Sequence, residues 1–180
     1  GRLRLISFPS AGATIVPKAI AAFRAKYPDV ELTLEPEEPC VGLQRLRAGE
    51  CDIALTLEAP DDDFEGDGLK RLALLDDPFH VALPVGHDQT MKPAVDLADL
   101  AHETWMVGST GSCPDGRIFL RVCHEAGFEP RVAFHSDDYS AIQGFVAAGV
   151  GIALIPNLVL ATARKDIAIC SLGENPPFRR

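Results

Sequence analysis

The chain has 180 residues, 47% hydrophobic and 24% charged, ordinary globular values that allow one domain or two small ones. A formal net charge of −9 repels a polyanion, so direct nucleic-acid binding by this chain is not expected. No apolar run approaches the roughly 20 residues of a membrane span. No signal peptide precedes Arg2, and a chain that starts at Gly1 reads as a processed or excised piece.

In chain order, "LRLIS" (Leu3 to Ser7) reads as a buried strand ending in "FPSAG". Val16, Ile20, Phe23 and Tyr27 then recur at helical spacing, with Pro17 in a first turn that tolerates it and Pro28 as a stop. "VELTLE" (Val30 to Glu35) alternates as a strand. A short helix follows, with Leu43 and Leu46 inward, Arg45 and Arg47 outward and Gly49 as cap. "DIALTLE" (Asp52 to Glu58) is the third strand, so the first half is β-α-β-α-β and implies a parallel sheet. After "LALLDDPFHVALPVGHD" the pattern restarts. "TWMV" is a strand, "GSTGSCPDGR" a loop, Ile118 to Ala126 a helix stopped by Gly127, and "RVAFH" a strand. Tyr139 to Ala148 is helical, "GIALIP" a strand, Asn157 begins a short helix, and "IAICSL" is the last strand. No internal repeat is visible.

The expected architecture is α/β with two lobes: 1–84 with 157–180, and 85–156, joined by two crossings that act as a hinge. Each lobe is expected to hold a mixed sheet flanked by helices.

Catalytic templates fit poorly. "GFVAAGVG" has the G-x-x-x-x-G of a P-loop, but Val150-Gly151 stands where Lys and Ser/Thr are needed. No G-x-S-x-G elbow occurs, and the five histidines show no metal spacing. Asp61, Asp63, Glu65 and Gly66 match four positions of a calcium loop, but Leu72 replaces its bidentate Glu, so a solvated acidic turn is the better reading. The five cysteines form no C-x-x-C pair and read as reduced thiols, which points to the cytoplasm. No catalysis, cofactor or metal is expected.

Hydroxyl-bearing loops after strands remain. Ligands of open α/β sheets sit beyond the carboxyl ends of the strands, where helix N-termini offer free N–H groups. Ser7, Ser10 and Ala11 follow the first strand and Glu58 the third; Gly108, Ser109, Thr110 and Ser112 follow "TWMV"; Ser136, Asp138 and Tyr139 follow "RVAFH". Helix capping accounts for some of these residues. Effector binding by the set is expected in addition.

"GRLRLISFPSAGATIVPKAIAAFRAKYPDVELTL", "LRAGECDIALTL", "PVGHD", "EAGFEP" and "FVAAGVGIALIP" occur in that order. Together they make the chain resemble the effector-binding domain of LysR-type transcriptional regulators, a two-lobed fold like type 2 periplasmic binding proteins. The resemblance implies a helix-turn-helix of roughly 60 residues outside this chain, through which alone DNA would be bound. It also implies a small-molecule effector in the interlobe cleft, and a homodimer, or a tetramer when full length, with no membrane partner. The dimer would pair the first-lobe helix, through Ala19, Ile20 and Phe23, with the second-lobe helix, through Phe119 and Val122. Glu58, Asp137 and Asp138 disfavour a bare dicarboxylate unless Arg4, Arg117 or Arg131 compensates, so an amine or polyhydroxyl effector fits as well as an acid. The alternative is an extracytoplasmic solute-binding protein of a transporter. Peroxide-sensing members of the family imply a lesser reading, a thiol sensor through Cys113 and Cys123.

Overall fold

The computed structural model describes residues 1–60, 62, 68–108 and 113–180. The chain forms two compact units, 1–57 with 63–72, and 58–62 with 73–180.

In the first unit, β1 (Arg2–Ser7) is the central strand of three. It runs parallel to β2 (Glu31–Pro36) on one side and β3 (Ile53–Leu55) on the other. The connections carry α1 (Pro9–Gly12), α2 (Ile15–Lys26) and α3 (Pro39–Arg47). Being central, β1 supplies Ile6 to the core, which it shares with Phe8, Ala11, Val16, Cys51 and Leu57. Gly42 lets α3 lie close on β1, because a Cβ there would stand 3.0 Å from the Ile6 side chain. α3 ends where Gly49 takes φ +72°, the left-handed conformation that glycine adopts without strain. Two exposed clamps hold the strand ends. Arg4 donates to both Asp52 oxygens and to the Gly49 carbonyl. Arg45 reaches Glu35, Glu37 and Glu50.

The second unit is built on a six-stranded mixed sheet. Its main path is β6 (Arg131–His135), β5 (Thr104–Val107), β7 (Ile152–Pro156), β4 (Asp77–Pro84) and β8 (Ile167–Cys170), with β9 (Phe178–Arg179) also paired to β4. β5 is parallel to β6 and β7; β4 is antiparallel to β7, β8 and β9. β7 is buried at every position, as its unbroken apolar run requires of a strand covered on both faces. One face is covered by α4 (Pro114–Glu125), whose Ile118, Phe119, Val122 and Cys123 join Trp105, Val107 and Leu154. Trp105 is fully buried, with its ring 5.2 Å from that of Phe119. A second cluster gathers Ile142 and Val146 of α5 (Tyr139–Ala147) with Met106, Ile155, Val159 and Ile167. Gly151 admits no side chain, since a Cβ would overlap the Thr104 carbonyl of the neighbouring strand.

The element pattern agrees closely with the sequence reading, but the partition does not. The first unit's sheet is wholly parallel, and only the second is mixed. The segments 1–84 with 157–180 were expected together, yet β4 and β8 of that set pair with each other and β4 also pairs with β7. "DPFHVALP" pairs with β7, β8 and β9 and so stands at the heart of a sheet, and that sheet draws residues 157–180 into the second unit. The chain passes between units three times, after residues 57, 62 and 72, where two crossings were expected.

Candidate functional site

The loop after β1 is a four-residue helix entered at Pro9. Ser7 is buried, with its hydroxyl donating to the Phe8 carbonyl at 3.1 Å, and its own carbonyl accepts from Glu37 N. Ser10 is half-buried and its carbonyl accepts from the Thr14 hydroxyl at 2.6 Å; Ala11 is fully buried. This segment therefore offers backbone more than free hydroxyls. Glu58 belongs to the second unit, where its main chain exchanges two 2.9 Å hydrogen bonds with Arg180.

In the second unit the loops after β5 and β6 are tied together, since Ser136 N donates to Val107 O at 3.0 Å. The Ser136 hydroxyl accepts from Asp138 N, and the Asp138 carboxylate caps α5 by accepting from Ser140 N at 2.8 Å. Tyr139 lies over Gly108, where a Cβ would overlap the phenol, so only glycine at the end of β5 admits this ring. Gly108, Ser136, Asp138 and Tyr139 are thereby brought to one end of one sheet. Ser109, Thr110 and Ser112, and the acidic positions Asp61, Asp63, Glu65 and Gly66, lie outside the described residues.

Beneath Tyr139 is a polar cluster that sequence reasoning did not assign. The Tyr139 hydroxyl donates to Asp115 Oδ2 at 2.9 Å. Arg179 donates to the same oxygen at 2.7 Å and, through Nε, to Asp77 Oδ2 at 2.8 Å. Asp77 Oδ1 accepts from Leu158 N. All three charged residues are buried. Burial, followed by the Asp115 charge, pushes the Tyr139 phenol well above its ordinary value of 10, so it acts as a donor. Burial opposes the charge of Arg179, but Asp115, Tyr139 and Asp77 outweigh it and hold the guanidinium protonated. The signal available in sequence was faint: an Asp opening the apolar strand "DPFHVALP", and "FRR" after two prolines.

Two of the three arginines singled out earlier are engaged elsewhere. Arg4 is bound to Asp52 in the first unit, and Arg117 grips both oxygens of Asp62 at 2.6 Å. Arg131 is exposed on the edge strand β6. Of the expected dimer residues, Ala19 is exposed and Ile20 and Phe23 are half-buried, but Phe119 and Val122 are buried in the second unit's own core. Their side chains pack on Trp105 and its neighbours, because the apolar stripe of α4 faces the sheet, and so they present no apolar face to a partner.

Cys113 precedes α4 and Cys123 sits ten residues further along the same unbroken helix, a rise of about 15 Å. A disulfide needs Cα atoms within about 7 Å, so α4 would have to unwind to form one. Burial pushes the Cys123 thiol up to about 12, which leaves it unreactive near neutrality. Among the described residues no group of three or more His, Cys, Asp or Glu could hold a metal ion, and no helix is long and apolar enough to cross a membrane.

Comparison with known proteins agrees with this architecture. The family model of the LysR substrate binding domain matches residues 1–180. The transcriptional dual regulator GltC of Bacillus subtilis is 28% identical over 97% of this chain and 57% of its own length. The DNA-binding transcriptional dual regulator OxyR of Escherichia coli is 26% identical over 92% of this chain and 52% of its own. The chain thus spans about half the length of the curated relatives it matches. Among solved structures, the effector binding domain of QuiR in complex with shikimate superposes with a TM-score of 0.83 at 17% identity, covering 99% of this chain and 85% of that one. The BenM effector binding domain with benzoate gives 0.82 at 19%, covering 99% and 81%. These two share the fold, the type 2 periplasmic-binding-protein-like fold expected from the sequence. The named relatives are transcription regulators rather than enzymes. The chain belongs to the LysR substrate-binding domain family.

Proposed function

We propose that this chain is the ligand-sensing part of a cytoplasmic LysR-type transcription regulator. In this reading it binds a small polar effector, with no catalysis, through the second unit's Glu58 and the loops holding Gly108, Ser109, Thr110, Ser112, Ser136, Asp138 and Tyr139. The observation that carries the proposal is the convergence of Gly108, Ser136, Asp138 and Tyr139 at one sheet end over a buried polar cluster. Open α/β sheets take their ligands at that end. QuiR and BenM, which share the fold, were solved with shikimate and benzoate. DNA contact falls to sequence outside this chain, which is itself acidic. The effector acts by binding one arrangement of the protein better than another, the only way a ligand shifts an equilibrium. Thermal-shift screening of metabolites followed by calorimetry tests this. Saturable binding of one small molecule per chain is expected, and no saturable binding by any metabolite would overturn it.

The relatives favour this reading over an extracytoplasmic solute-binding protein. The similarity to OxyR raises thiol sensing, but the intact α4 and the buried Cys123 speak against a Cys113–Cys123 bridge. We also propose a homodimer that uses the α2 face around Ala19, Ile20 and Phe23, against a partner surface other than Phe119 and Val122. Light scattering at micromolar concentration should give twice the mass of one chain; the mass of one would refute it.

A further inference from the structure

β4 and β5 are joined by residues 85–103, which form two short 3-10 turns, Asp88–Met91 and Leu97–Leu100. The second turn is anchored. Leu100 is fully buried, and Val95, two residues before the turn, donates its N–H to Ser171 O at 2.8 Å. The first lies at the surface, with Met91 87% exposed at its end and Val85 70% exposed ahead of it. His87 caps this surface turn by accepting the Gln89 N–H on ring Nδ1 at 3.2 Å. The other ring nitrogen, Nε2, lies 3.3 Å from Glu103 Oε1. His87 follows the end of β4 and Glu103 immediately precedes β5, so the ring ties together the two ends of the connection.

These contacts fix where the ring carries its proton. A backbone N–H can only donate, so Nδ1 must offer a lone pair, and the neutral ring holds its hydrogen on Nε2, donated to Glu103. A proton taken from water changes both contacts. Nε2–H then joins a positive ring to the Glu103 carboxylate as an ion pair, a charge-assisted hydrogen bond. Nδ1 becomes a donor that faces another donor, and the cap on Gln89 is lost. The His87 side chain is 18% exposed, which lets solvent reach it.

Gln89 also carries the acceptor that the new Nδ1–H lacks. Its side-chain Oε1 is buried and takes no hydrogen bond among the described residues. Buried polar atoms of that kind are few in native proteins. The other charged groups of the connection leave the ring to Glu103. Asp88 is exposed on the turn itself, His102 is exposed beside Glu103, and Lys92 is held by Asp99 at 2.6 Å. Histidine is the side chain whose charge ordinarily changes between about pH 5 and 8. We propose that His87 is a proton-operated clasp. Its protonation exchanges the Gln89 N–H cap for the Glu103 ion pair and an Nδ1–H bond to Gln89 Oε1, which releases the turn Asp88–Met91. The clasp makes this surface turn pH-sensitive, and it stands independently of the effector-binding reading.

NMR of the unaltered chain tests it, with the His87 ring nitrogens and the Gln89 backbone amide followed from about pH 8 to about pH 5. At the upper end Nδ1 should be bare and Nε2 protonated. The Gln89 amide should then shift with the same midpoint as the ring. Its exchange with solvent, corrected for intrinsic pH dependence, should quicken about fivefold, as the loss of a cap implies. Glu103→Gln removes the partner charge and should move the ring's midpoint to lower pH. His87→Asn supplies an acceptor for the Gln89 N–H at every pH and should hold that amide still. A neutral ring with its proton on Nδ1 overturns the inference. So does a Gln89 amide that stays unmoved while the ring titrates, or a ring that is still neutral at the acid end. All three of these results come from the unaltered chain, whether or not the variants fold.

Discussion

Arg179→Met tests whether the buried cluster is a structural hub of the second unit. The guanidinium is 1% exposed, with Nε and Nη2 both 2.8 Å from Asp77 Oδ2 and Nη1 2.7 Å from Asp115 Oδ2. Methionine fills similar space but leaves two buried carboxylates with, among the described residues, only the Leu158 N–H and the Tyr139 hydroxyl as donors. Breaking a buried ion pair from one side costs about 3–5 kcal/mol, a large part of the 5–15 kcal/mol typical of a domain. For a chain of this size that is a fall in melting temperature of roughly 6–20 °C. Urea denaturation followed by Trp105 fluorescence reads the change, because that ring lies in the same unit's core. Adding Asp77→Asn and Asp115→Asn to Arg179→Met removes the stranded charges and should restore at least half of the loss. A loss below about 1 kcal/mol, the value of an exposed pair, would refute the argument.

Three further outcomes follow from single features. Gly151→Ala should lower stability markedly, because its methyl overlaps the Thr104 carbonyl and the obstacle is backbone; a melting temperature unchanged within a degree would contradict it. The hydrogen bonds from Arg4 hold the Asp52 carboxyl at about 2 against an ordinary 3.8, so its stabilisation is complete above about 3.8 and is lost as pH falls towards 2. Carbon-detected NMR titration should place it there, and a midpoint near 3.8 would contradict the clamp. After peroxide treatment Cys123 should stay unmodified in the native protein and alkylate only on unfolding; a Cys113–Cys123 bridge in peptide mass spectra would mean that α4 unwinds.

Much of the fold was legible because strong local patterns decided it. "RVAFH" and "TWMV" coincide with β6 and β5, and Gly49 and Gly127 end their helices at φ +72° and +86° as their positions suggested. What the sequence hid was non-local. "DPFHVALP" alternates no more sharply than its neighbours, yet it is the strand on which three antiparallel partners meet. Its partners lie about 75 to 100 residues away, and no local signal names them. The same holds for the site. Asp138 as a cap and Gly108 as a loop glycine could be read from local order. Asp77, Asp115 and Arg179 become a cluster only when β4, α4 and β9 are brought together. The resemblance implied Phe119 and Val122 as dimer residues, but the stripe they share on α4 is covered by Trp105 and the second unit's own core.

Binding of a small effector at the strand-end loops can be read residue by residue. Backbone amide chemical shifts, recorded with and without a ligand found by calorimetry, test it most directly. The largest changes are expected at residues 58, 108, 113–116 and 136–140, with α3 and the turn Asn157–Thr162 almost unmoved. Shifts concentrated on α3 or on that turn, with those loops unaffected, would contradict it.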